Sequence, residues 1–246
     1  MPRTARIKSV SGFYHVLLRG IGKQNIFEDD KDRQHFIETL ERYKAELKFE
    51  IHAYCLMGNH VHILLKDADQ RLDLIMKKIA GSYAWHFNWK YERVGHFFQD
   101  RFKSEPIEDE KYYLTALRYI HQNPQKADIA LVNEYEWSSY CEYVDSPKIV
   151  NTEFALDIIG GKDAFISFME ENEEDLCLEV TDKTRLTDAA AIALIKEMAK
   201  VKNVQQLQSL EAASRDKILA ELKCQGLSIR QIARLTGVNR GVVLKA

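Results

Sequence analysis

The chain has 246 residues, of which 46% are apolar and 29% charged, with a formal net charge of −2. That balance excludes a low-complexity or disordered polymer and a uniformly basic nucleic-acid binder, and no run approaches the ~18 apolar residues of a membrane span. No apolar leader follows a basic start, and the four cysteines (Cys55, Cys141, Cys177, Cys224) lack C-x-x-C spacing. The expectation is a cytoplasmic protein with reduced thiols, no cysteine-built zinc site, no membrane partner and no small-molecule cofactor.

In chain order, Gly12 to Arg19 reads as a strand, with Tyr14, Val16 and Leu18 on one face and Phe13, His15 and Leu17 on the other. Gly20 and Gly22 then open a loop flexible enough to approach a nucleic-acid backbone. Asp29 and Asp30 mark a helix start, and apolar spacing carries that helix through Phe36, Leu40, Tyr43 and Leu47. Phe49 to Met57 is a second strand, which Gly58-Asn59 turns into a third beginning at His60. A long helix is expected from Leu72 to Trp89, a fourth strand between Phe97 and Ile107, and a helix from Asp109 that stops at Pro124. Strand, helix, strand, strand, helix, strand is the split βαβ order of a ferredoxin-like antiparallel sheet, so the fold class is α+β.

Trp137, Tyr140 and Tyr143 read as a segment that closes over the sheet. From about Ser146 the texture changes: Pro147, Gly160-Gly161 and an acidic run suit a connector with short helices. From Leu186 the pattern is helical, and Ile229 to Val243 fits a helix-turn-helix template. Ala233 is the small residue at the crossing, Gly237 opens the turn, and Val238 and Val243 face the first helix. The expected domains are therefore 1–145, a connector at 146–185, and a small all-helical domain at 186–246. Charge is unevenly spread along them. Ala164 to Asp182 has no Lys or Arg, Leu222 to Ala246 has no acid, and the N-terminal arm carries Arg3, Arg6 and Lys8.

Chemistry concentrates in His60-Val61-His62. A strand alternates its side chains, so the two imidazoles share a face and can share one divalent ion, while Val61, Ile63 and Leu65 face a core. A bare His-x-His is more often a polar-face pair, so a third ligand is needed. Tyr119 and Asn123 stand four apart on the helix after the fourth strand and so lie on one face, one turn from each other. They can deliver a phenol nucleophile and an amide-oxygen ligand together. Tyr112 is the competing nucleophile, whereas His121 points about 200° round from Tyr119 and is a poor ligand.

These residues resemble those of the HUH single-tyrosine transposases, and among them the REP-associated tyrosine transposases. The resemblance covers roughly residues 9–144. It rests on Phe13-Tyr14-His15-Val16, Arg19-Gly20, Gly58-Asn59-His60-Val61-His62, Phe98-Gln99-Asp100-Arg101-Phe102-Lys103-Ser104 and Arg118-Tyr119-Ile120-His121-Gln122-Asn123-Pro124, in that order. It implies a ferredoxin-like HUH domain in which His60, His62 and Asn123 hold Mg²⁺ or Mn²⁺ and Tyr119 cleaves DNA through a 5′-phosphotyrosine link. The implied partner is single-stranded DNA at hairpin-forming repeats. Arg19, Arg101 and Lys103, with Arg230 and Arg240 of the helical domain, are the candidate DNA contacts. Whether Tyr119 acts in its own subunit or across a homodimer is left open. The competing reading is a non-catalytic, site-specific nucleic-acid-binding or regulatory protein on the same fold.

Overall fold

In the computed structural model the described residues are 6–171, 177, 188–201, 203–225 and 227–246, without the side chain of Cys224. Arg3, most of the acidic run beyond residue 171 and the expected helical start at Leu186 lie outside them. The chain divides into two compact units, Met1–Glu179 and Val180–Ala246.

The first unit is built on four strands, β1 (Phe13–Arg19), β2 (Glu50–Met57), β3 (His60–Lys66) and β4 (Lys103–Ile107), in the order β2-β3-β1-β4. Every neighbouring pair is antiparallel. This is the split βαβ sheet that the alternation and the Gly58-Asn59 turn predict. Helices α1 (Asp30–Leu47) and α2 (Leu72–Lys90) connect the strands and cover the face carrying Val16, Leu18, Val61, Ile63 and Leu65, all buried. Asp29 and Asp32 form a reciprocal capping box at the start of α1, which satisfies orphan amides and sets where the helix begins.

Helix α3 (Glu110–Lys126) packs across the opposite face through Tyr113, Ala116, Leu117 and Ile120. It does not stop at Pro124, as the sequence predicts, but runs two residues further. A proline in the last turn forfeits a single helical hydrogen bond. Ala127 and Ile129 close the end by donating to the carbonyls of Asn123 and Pro124. That extra half-turn brings Lys126 back over Tyr119.

After α3 the chain returns along the edge of β2, where the Leu56 amide donates to the Trp137 carbonyl. The short helix α4 (Tyr140–Val144) buries Glu142, which accepts from the Tyr54 hydroxyl and from the amides of Lys148, Ile149 and Val150. The stretch from 146, expected to be a connector with short helices, carries α5 (Glu153–Ile159) and α6 (Lys162–Glu170). Ala155, Phe165 and Met169 of these helices are buried in the same core as the sheet. Gly160 and Gly161, both at positive φ, break one helix from the next and not one domain from another.

The second unit has its own core, formed by α7 (Asp188–Ala199), α8 (Ala212–Cys224), α9 (Ile229–Thr236) and α10 (Arg240–Lys245). Ser228 caps α9 by accepting from the Gln231 amide, and Gly237 ends it at a φ of 74°. Val238 and Val243 are buried, so α10 folds back on α9. Among the described residues no helix is long and apolar enough to cross a membrane.

Burial on the α3 side makes the first unit acid-sensitive. His15 and His121 are fully enclosed, and desolvation pushes both pKa values down to about 3. An unfolded histidine titrates near ~6.5, so below that pH the unfolded chain takes up protons that the native chain refuses. Stability is therefore complete above ~6.5 and falls as pH drops towards 3. At pH 5 each of these residues costs about 2 kcal/mol. Thermal melts at pH 7.5 and 5.0 should differ by roughly 10 °C. Equal midpoints would mean that these imidazoles are charged or hydrated in the native state.

Candidate active site

The site begins at the Gly20 backbone. A Cβ there would lie 2.4 Å from the Gln24 carbonyl oxygen, so the position serves close packing and not the loop flexibility expected of it. Packed in this way, the Gly20 amide donates to the carbonyl of Asn59 at 3.0 Å. Asn59 in turn places its side-chain oxygen 2.6 Å from His60 Nδ1. Both ring nitrogens of His60 face an amide oxygen, Asn59 the closer, and a proton on Nδ1 leaves Nε2 with its lone pair. That Nε2 lies 3.3 Å from the side-chain oxygen of Asn123 on α3.

His62 is the next inward residue of β3, its ring 5.0 Å from that of His60 and nearly perpendicular to it. Its Nδ1 meets Nε2 of His15 at 2.8 Å. The β1–β3 register explains the contact: Leu17 stands opposite His62, and His15 is one inward position along. Burial drives the pKa of His60 to about 4, with the Asn123 hydrogen bond opposing and the Arg19 charge assisting. Burial lowers His62 well below the usual imidazole value, and neighbouring His15 and His60 lower it further. All are neutral at physiological pH, the form in which imidazole ligates metal.

Tyr119 sits over this pair, its ring edge-on to His62 at 5.5 Å and to His15 at 5.9 Å. Lys126 places its ammonium 4.8 Å from the centre of the same ring. Tyr112 lies roughly 10 Å back along the helix and donates its hydroxyl to Glu105 of β4. Burial and that carboxylate raise its pKa, which disfavours it as a nucleophile. His121 faces away from the site, with Nε2 2.8 Å from the Ser139 hydroxyl among Tyr140, Tyr143 and Phe165.

Thus His60, His62, Asn123 and Tyr119 converge from β3 and α3. Arg19 stands opposite His60, and Lys103 stands opposite Leu17, on the same sheet face. Arg101 lies exposed just before β4. Arg230 and Arg240 are exposed on the second unit. Three contributors escape a reading of the sequence. His15 needs the strand register to reveal its partner, Asn59 reads as turn chemistry alone, and Lys126 lies beyond the proline expected to end its helix.

The donor set suits a divalent cation. The His60 and His62 rings lie side by side with the Asn123 oxygen beside His60, and each Nδ1 has a partner, so each Nε2 could serve as a ligand. Among the described residues no cluster of three or more His, Cys, Asp or Glu side chains could hold a metal. Cys55, opposite His62, is fully buried and its thiol is pushed up, so it stays protonated.

A family model described as "Transposase IS200 like" matches residues 8–123. No curated protein matches the chain. Among solved structures, the fold is similar to that of a REP-associated tyrosine transposase bound to a REP hairpin. The TM-score is 0.52 at 18% identity, covering 58% of this chain and 86% of that one. A Deinococcus radiodurans protein assigned as a transposase is 14% identical over 51% of this chain and 95% of that one. Its TM-score of 0.35 is too low to carry an argument.

Proposed function

Because residues 8–123 match the IS200-like transposase family model, we propose that this protein cleaves and rejoins single-stranded DNA through a 5′-phosphotyrosine intermediate. The observation that carries the proposal is the convergence of Tyr119 on the His60–His62–Asn123 donor set. The substrate class we assign is a strand presented by a hairpin-forming repeat.

His60, His62 and Asn123 would hold Mg²⁺ or Mn²⁺, which supplies Lewis-acid polarisation of the scissile phosphate. The chain's own residues do the rest. Tyr119 Oη forms a bond to phosphorus as the bond to the 3′ oxygen breaks, and the proton lost by the phenol balances the one gained by the new 3′ hydroxyl. The Lys126 ammonium, 4.8 Å from the centre of the Tyr119 ring, is placed to meet an incoming phosphate. Asn59 holds His60 in its ligating orientation. Arg19, Arg101 and Lys103 neutralise flanking phosphates. The phosphotyrosine conserves the bond energy, so the 3′ hydroxyl can reverse the step or be replaced by another.

We assign the second unit to DNA docking through Arg230 and Arg240, on a helix-turn-helix arrangement of α9 and α10. Removing residues 180–246 should weaken binding and flatten the salt dependence of log K by roughly 1.5 for two lost phosphate contacts. Cleavage of a short saturating oligonucleotide should persist. Equal salt slopes for the full and shortened chains would instead assign these helices to assembly or to another partner.

The test of the reaction is a labelled hairpin oligonucleotide mixed with protein and Mn²⁺. A covalent adduct that survives denaturing electrophoresis is expected, because a tyrosine keeps the 5′ phosphate whereas an activated water releases it. Cleavage without an adduct would make the protein a hydrolytic nuclease. Metal-independent binding of the hairpin repeats flanking the gene, without cleavage, would make it a non-catalytic regulator.

A further inference from the structure

His15 is fully buried on the catalytic face of the sheet and takes no part in the cleavage as proposed. Its Nε2 lies 2.8 Å from His62 Nδ1, and its Nδ1 has no hydrogen-bond partner. The ring also forms one wall for Tyr119, at 5.9 Å. A buried histidine that merely fills space would be expected to satisfy its polar atoms within the fold. This one spends its only hydrogen bond on a residue of the site.

The two histidines of the donor set are held differently. Asn59 offers His60 Nδ1 an oxygen that can only accept, at 2.6 Å against the 3.3 Å of Asn123 at Nε2, which favours the proton on Nδ1. His15 offers His62 a nitrogen that can accept or donate, depending on which of its own nitrogens carries the proton. If His15 donates to His62 Nδ1, the proton of His62 sits on Nε2 and blocks it as a ligand. If His15 carries its proton on Nδ1 and accepts at Nε2, His62 donates from Nδ1 and presents Nε2 with its lone pair. Each ring keeps one proton in either arrangement.

We propose that His15 is a positioning residue for the divalent ion: by accepting the hydrogen bond of His62 Nδ1 it selects the ligating tautomer, orients the ring and raises the basicity of Nε2. This rests on His60 and His62 being the metal pair. Outer hydrogen-bond partners of metal-bound histidines are typically worth about 10- to 100-fold in affinity.

The test is Mn²⁺ titration of the full chain without DNA, followed by calorimetry and by electron paramagnetic resonance of the free ion. His15→Phe keeps a ring but cannot accept, and its Mn²⁺ affinity should fall about 10- to 100-fold. His15→Gln can place an amide oxygen near the lost nitrogen and should recover most of that loss. In the wild-type protein with Mg²⁺, nitrogen NMR of labelled histidines should find both His15 and His62 protonated at Nδ1, a result that depends on no variant. Wild-type affinity in His15→Phe, equal loss in both variants, or a His62 protonated at Nε2 in the presence of Mg²⁺ would each overturn the proposal. His60→Ala separates the two levels. If it binds Mn²⁺ as well as wild type, the metal pair itself is misassigned; if it loses the ion while His15→Phe does not, only the role of His15 falls.

Discussion

Tyr119→Phe should bind the hairpin substrate and Mn²⁺ as the wild type does, yet form no covalent adduct, a loss of at least roughly 10³-fold. The change removes one oxygen. The ring contacts to His15, His62 and Lys126 need only the aromatic ring, so the walls of the site and the helix that carries them are kept. Tyr112→Phe is the matched control. Its hydroxyl is committed to Glu105, two helical turns back from Tyr119, and the adduct should form at close to the wild-type rate. Quantifying both adducts on a denaturing gel decides the nucleophile. An adduct that persists in Tyr119→Phe and disappears in Tyr112→Phe would require α3 to be rearranged in the DNA-bound state.

The part of this arrangement that is legible in the sequence depends on period and proximity. Alternation places His60 and His62 on one sheet face, and helical spacing places Tyr119 and Asn123 one turn apart, because both follow from local geometry. What is missed depends on long-range packing. His15 is visible as an inward residue of the first strand, but its contact with His62 is a diagonal across a register that only the folded sheet sets. Gly20 reads as a flexible hinge, whereas the carbonyl of Gln24 occupies the space a side chain would need. Pro124 reads as a stop because prolines disfavour helix before them, and tertiary packing of α3 against β2 and β3 outweighs that preference within a final turn. The stretch from 146 reads as a connector from its Pro147 and Gly160-Gly161 punctuation. Only the fold shows Ala155, Phe165 and Met169 completing the core behind α3.

His60→Ala should abolish metal-dependent adduct formation and lower Mn²⁺ affinity by more than about 100-fold, while leaving thermal stability within about 1 kcal/mol of wild type. His60 is the cleaner of the two histidines for this test because it is half-buried at the mouth of the site, its hydrogen bonds going to Asn59 and Asn123. His62 is enclosed and supports His15, so His62→Ala combines loss of a ligand with a cavity. Asn123→Ala should be milder, with about tenfold weaker Mn²⁺ binding and cleavage restored by excess metal, because water can take the place of one neutral oxygen. The graded order, His60 far more damaging than Asn123 at limiting Mn²⁺, distinguishes a metal site from a packing role. If His60→Ala unfolds the first unit, or Asn123→Ala cleaves normally at limiting metal, the corresponding ligand assignment is lost. If both variants bind Mn²⁺ as the wild type does, Tyr119 would have to act without the ion, and the phosphate would be left to Arg19, Lys103 and Lys126 to polarise.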